Sequence, residues 1–174
     1  MIALTEQLPQ RHLRPGELVI THEPTLIVTL LGSCVAVTMF SALHGLAAIC
    51  HAMLPRPGRR LHAGNVPADR FKYLSEAVPY MAAQFRRHGV CPATVEVKMF
   101  GGAHVTLHPH PGPIDPRHIG NTNVVTAREL LAAEGMQVAA ANVGGVRGHK
   151  LIFDTTNGRV RHKHLGPIEG REAS

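Results

Sequence analysis

The chain has 174 residues, 44% of them hydrophobic and 17% charged, which is enough apolar material for one buried core and excludes a disordered chain. Its 18 Lys and Arg against 12 Asp and Glu give +6 with neutral histidines, and the 13 histidines would carry this to about +19 in mild acid. No apolar run reaches spanning length and the first 15 residues carry no signal-peptide core, so a cytoplasmic protein without membrane insertion is expected.

Three apolar runs of strand length come early, at 26–31, 35–40 and 46–53, and continuous runs of this kind belong to sheets covered on both faces. Residues 59–69 turn polar and rich in Gly and Pro, as surface loops do. Leu74, Val78, Met81 and Phe85 then mark one face of a helix over about 69–88, with a kink or break expected at Pro79 and a stop at Gly89. Residues 94–100 read as a strand running into Gly101-Gly102, and the proline-rich stretch 104–118 as a loop. Asn121 or Thr122 can cap a second helix ending near Glu134 and Gly135. A strand at 138–143 follows, then a hairpin pairing 150–154 with 159–163 through a two-residue type I′ turn at Asn157-Gly158. Adjacent strands with only two helices imply an α+β fold, a single-domain layered sandwich with a mostly antiparallel or mixed sheet core. The domain is expected to occupy 1–174, its core about 16–165 and its tails short and flexible.

Chemistry concentrates at Leu31-Gly32-Ser33-Cys34, where a glycine and a small polar residue precede a thiol between two apolar strands. Such a turn can present a side chain and free backbone N–H groups. His51 lies 17 residues on, at the end of a neighbouring strand. A thiol and an imidazole in contact are the minimum for an activated cysteine nucleophile; taken alone, the same two residues also suit a small buried hydrophobe and a satisfied core histidine. Cys50 points to the opposite face of its strand from His51, and Cys91 carries no signal. With no CxxC spacing, all three cysteines read as free thiols. His104, His108, His110 and His118 crowd one loop but lack the spacing of a built metal site, so neither metal nor cofactor is expected. The sequence pI near 9.8 admits nucleic acid or an acidic protein surface as partner. Only seven aromatic residues are present, none interleaved with the basic clusters, which argues against nucleic acid.

Five blocks in order, LGSCVAV (31–37), HAMLP (51–55), KMFGGA (98–103), IGNTN (119–123) and the Gly pair at 144–145, resemble the CheD family of chemoreceptor glutamine deamidases. The resemblance implies a protein-glutamine glutaminase that converts selected glutamines of methyl-accepting chemotaxis receptors to glutamate with release of ammonia. It implies Cys34 as nucleophile, His51 as its base, and Thr29 as the third catalytic residue, orienting the histidine. Backbone N–H groups at Gly32 and Ser33 are the expected oxyanion support, and a neighbouring imidazolium is expected to favour the thiolate. Asn123 and Gly101-Gly102 match family blocks and are read as turn and cap geometry. Asn121-Thr122 stands where the family usually has an acidic or small residue followed by arginine, and His149 where an arginine is common, which alters any substrate or partner contact those arginines make. A CheC-type phosphatase is a further partner of the family, and a non-catalytic adaptor binding receptors or that phosphatase is the alternative function.

Overall fold

The computed structural model describes residues 7–58, 68–105, 113, 115 and 117–166. Its main elements run β1 (Gln10–His12), β2 (Leu18–Thr21), β3 (Leu26–Leu31), β4 (Val35–Ser41), β5 (Leu46–Ala52), α1 (Leu74–Arg87), β6 (Glu96–Gly101), α2 (Ile119–Ala133), β7 (Val138–Val143), β8 (His149–Asp154) and β9 (Val160–His164). They build two mixed sheets: a five-stranded one in the order β2-β5-β4-β6-β7 and a four-stranded one in the order β1-β3-β8-β9. Only β1 with β3 and β6 with β7 pair in parallel. The α+β layered sandwich expected from the order of elements is the architecture found.

Three layers explain why β4 and β5 are buried along their whole length. Alternate residues of a strand face opposite sides of the sheet. Val35, Val37, Met39, Ala48 and Cys50 therefore pack against the helices, where Leu74, Val78, Met81, Phe85 and Leu131 complete one core. Ala36, Phe40, Ala47 and Ile49 face the other way and meet Ile27, Leu31, Leu151 and Phe153 of the four-stranded sheet. Cys50 thus lies on the helix side while its neighbour His51 belongs to the opposite face, as the strand periodicity requires.

Several local expectations needed correction. Helix α1 begins at Leu74, after a short 3-10 turn at Arg70–Lys72, and continues through Pro79. Proline removes one intrahelical donor, but the buried side chains on both sides of Pro79 hold the helix on the sheet. Helix α2 starts at Ile119; its cap is His118, whose Nδ1 accepts from the Gly120 N–H at 3.1 Å, rather than Asn121 or Thr122. The last hairpin turns through residues 155–158 instead of two residues. The Asp154 carboxylate accepts from the Thr156 N–H and hydroxyl and from the Asn157 side chain. Of Asn157 and Gly158 only the glycine has a positive φ, 72°, whereas type I′ needs two such residues. Two short strands precede those expected: β1 is wholly polar, and β2 has only the four residues Leu18–Thr21, although three of them are apolar. His108 and His110 lie outside the described residues, as does most of the loop at 59–69.

Candidate functional site

Strand register brings Thr29, Cys34 and His51 to one end of the space between the sheets. His51 pairs with Ala36 across β4 and β5. Its main chain is held on the other side as well, donating to the Glu17 carbonyl at 3.0 Å and accepting from the Gly16 N–H at 2.8 Å. Cys34, two residues before Ala36, is half-buried and packs against the same inter-sheet cluster as Ala36. Thr29 projects from β3 into that layer and is buried.

Hydrogen-bond accounting fixes the state of the imidazole. The Thr29 hydroxyl has one proton, and the Leu13 carbonyl, 2.9 Å from Oγ1, can only accept it. The contact of 2.8 Å between Thr29 Oγ1 and His51 Nδ1 must then have Nδ1–H as donor. His51 Nε2 is left without a proton and, buried, finds no partner. A cavity of about 300 Å³ lined by His12, Leu13, Thr29, Lys150 and their neighbours reaches the imidazole, and Cys34 is not part of its lining.

Burial is the largest influence on both groups. It pushes the Cys34 thiol up, opposed by the residue's own backbone N–H. The His51 imidazole is pushed down, opposed by the Leu13 carbonyl and the charge of Glu17. Low dielectric disfavours the charged forms, so burial favours a neutral thiol and a neutral imidazole, the opposite direction to the thiolate expected beside an imidazolium. Cys50, fully buried, is pushed up to about 11 and is inert as a nucleophile.

The turn carrying Cys34 is held by its carbonyls. Gly32 O accepts from the Ala103 N–H and Cys34 O from the Gly102 N–H, both at 2.8 Å. The intervening Ser33 O accepts from Asn123 Nδ2 at 3.0 Å. In a trans peptide the N–H points away from the carbonyl, so anchoring Gly32 O and Ser33 O directs the N–H groups of Ser33 and Cys34 to the opposite side. Gly101 lies so close that a Cβ there would stand 2.2 Å from Cys34 O, and its φ of 100° disfavours any other residue.

Asn123 does more than shape a turn. Fully buried inside α2, it also donates from Nδ2 to Met53 O at 3.0 Å. One amide therefore ties the residue before Cys34 to the strand end two residues after His51. The sequence does hold a signal for this: Asn123, Ala127 and Leu131 recur at helical spacing, and a polar residue in an apolar stripe needs a buried partner.

A model of the CheD family, described as CheD chemotactic sensory transduction, matches residues 53–164. The chain belongs to the CheD family. It is 42% identical over 171 residues to the probable chemoreceptor glutamine deamidase CheD 2 of Geobacter sulfurreducens, covering 97% of this chain and 98% of that protein. To the probable chemoreceptor glutamine deamidase CheD of Oleidesulfovibrio alaskensis it is 42% identical over 162 residues, covering 91% and 74% of the two chains. Among solved structures, Bacillus licheniformis hypothetical protein YfiH aligns with a TM-score of 0.44 at 14% identity, covering 72% of this chain and 50% of that one. The CheD match starts at Met53, so Thr29, Cys34 and His51 precede it, whereas the alignment to the Geobacter protein is long enough to span all three. None of the described helices is long and apolar enough to cross a membrane.

Proposed function

We propose that this CheD chain is a protein-glutamine deamidase acting on glutamine side chains of methyl-accepting chemotaxis receptors through a Cys34 thioester. One observation carries the reading: Thr29 takes up His51 Nδ1–H and leaves Nε2 as a bare base on the face of the sheet that Cys34 shares. As Sγ attacks the amide carbon, Nε2 takes the thiol proton, and the N–H groups of Ser33 and Cys34 receive the developing oxyanion. His51 returns the proton to the nitrogen as the C–N bond breaks, releasing ammonia and leaving an acyl thioester. Water then attacks the thioester carbon, giving its proton to Nε2. Collapse of that intermediate frees glutamate, and the proton returns to Sγ. Each step needs one imidazole cycling between two states, and an oxyanion donor of this kind is typically worth about 2.7 to 4 kcal/mol.

The test is mass spectrometry of a receptor cytoplasmic fragment, reading the mass gain of about one dalton for amide to acid, together with ammonia release. The wild type is expected to convert glutamines, and folded Cys34→Ala and His51→Ala proteins are not. Conversion by folded Cys34→Ala protein refutes the mechanism. A Cys34→Ala protein that keeps every biological effect instead favours an adaptor of receptors or of a CheC-type phosphatase.

A further inference from the structure

Three histidines of the last two strands come together in the fold. His149 faces His164 directly across β8 and β9, and His162, two residues before His164, shares that face of the sheet. Their rings meet as a triad, with centroid separations of 4.9 Å for His149 with His162 and with His164, and 4.7 Å for His162 with His164. One nitrogen from each lies within 4.8 Å of the other two. Among the described residues no acid joins the group. Three imidazoles packed without a counter-charge have one obvious complement, a cation that replaces their protons.

We propose that His149, His162 and His164 form a three-histidine site for a zinc-type divalent cation, which clamps the edge strand β9 onto β8. The two best-placed ligands are already oriented. His149 Nε2 lies 3.3 Å from the Gly144 carbonyl, which can only accept, so Nε2 carries the proton and Nδ1 presents its lone pair. A histidine ligand commonly donates its other ring N–H to a backbone carbonyl in this way. His149 Nδ1 stands 2.9 Å from His162 Nε2, whereas two nitrogens on a tetrahedral zinc are about 3.3 Å apart. Opening by about half an ångström admits the metal, and displaces the single proton now shared there. Phe100 stacks on the His162 ring at 5.7 Å and limits its swing. His164 is exposed, so its ring can turn inward to close the third bond. Three neutral imidazoles suit zinc, cobalt or nickel and leave a fourth position for water.

His162 and His164 share one face of β9 by their spacing of two, but His149 joins them only through β8-β9 pairing. The site is also separate from the crowded loop, where His104 and His118 stack on each other at 4.0 Å. The test uses the full chain without an affinity tag, titrated calorimetrically with zinc chloride and, by visible absorption, with cobalt(II). Wild type is expected to bind one equivalent, to show the absorption of tetrahedral cobalt, and to melt at higher temperature with zinc. The double variant His162→Gln, His164→Gln, at positions outside the core, is expected to fold normally, to bind at least 100-fold more weakly and to lose the thermal shift. His104→Gln is expected to bind like wild type. Absence of saturable one-to-one binding by the wild type overturns the proposal, as does equal affinity in the double variant. None of these readouts depends on deamidase activity.

Discussion

Replacing Asn123 tests whether the turn before Cys34 and the strand end after His51 are held by one side chain. Its amide makes two N–H···O bonds of 3.0 Å, to Ser33 O and Met53 O. At about 1 kcal/mol net for each bond, Asn123→Ala is expected to cost about 2 kcal/mol of stability, more if no water reaches the two carbonyls. Asn123→Asp keeps the shape but sets an acceptor against two acceptors and buries a charge, so it is expected to be the more damaging change. Its carboxyl pKa must rise in the folded state. The folded chain then binds more protons than the unfolded one, and the Asp variant is expected to regain stability as pH falls from 7 towards 5. Urea unfolding at both pH values measures these effects. In steady-state deamidation, loosening the turn is expected to lower kcat by about tenfold or more while KM changes little, because about 1.4 kcal/mol of lost alignment is a factor of ten. An Asp variant as stable as wild type, or an Ala variant with unchanged kcat, refutes the clamp.

Thr29→Val leaves His51 Nδ1 and Leu13 O without their partner, and is expected to cost about 1–3 kcal/mol and to slow turnover about 10- to 100-fold; Thr29→Ser should restore most activity, and a fully active Val variant contradicts the assigned tautomer. Gly101→Ala places a Cβ against Cys34 O at a φ of 100°, for which about 2–5 kcal/mol of destabilisation is expected from backbone strain and overpacking; chemical denaturation within 0.5 kcal/mol of wild type would contradict the close approach, on the order of normal surface effects. Burial holds His51 below the ordinary histidine value of about 6.5, so the acid limb of kcat/KM is expected below that pH, and a limb at or above it argues against a buried base. By linkage the unfolded chain binds more protons than the folded one between the two pKa values. His51 therefore costs no stability above about pH 6.5 but destabilises the fold as pH falls below it. Urea unfolding should show a larger loss between pH 7.5 and 5.5 for wild type than for His51→Gln.

How much was legible before the fold was known follows from the range of the interactions involved. Strands 26–31, 35–40 and 138–143 were readable because apolar runs bounded by glycine and polar residues act locally. The α+β class followed from their order. Cys34 and His51 stood out because a thiol and an imidazole at strand ends are unusual residue types in an apolar setting, and the blocks around them resemble CheD. The pairing of Thr29 with His51 was a matter of family pattern, since a one-residue shift along β3 would have turned the hydroxyl to the outer face.

Non-local pairing decided the rest. The division into two sheets depends on β3 leaving β4 to pair with β8, more than a hundred residues away, and no local periodicity encodes that partner. The orientation of the imidazole rests on the Leu13 carbonyl, contributed by a segment with no apolar signal of its own. Asn123 became a clamp because α2 lies over the ends of β4 and β5 at once. Burial pushes the Cys34 thiol towards its neutral form, because dielectric surroundings belong to the packed core and not to the residue. Composition, class and the two candidate side chains were therefore properties of the sequence by itself. Which groups touch, which carry protons, and which three of thirteen histidines meet were settled only when distant strands came into register.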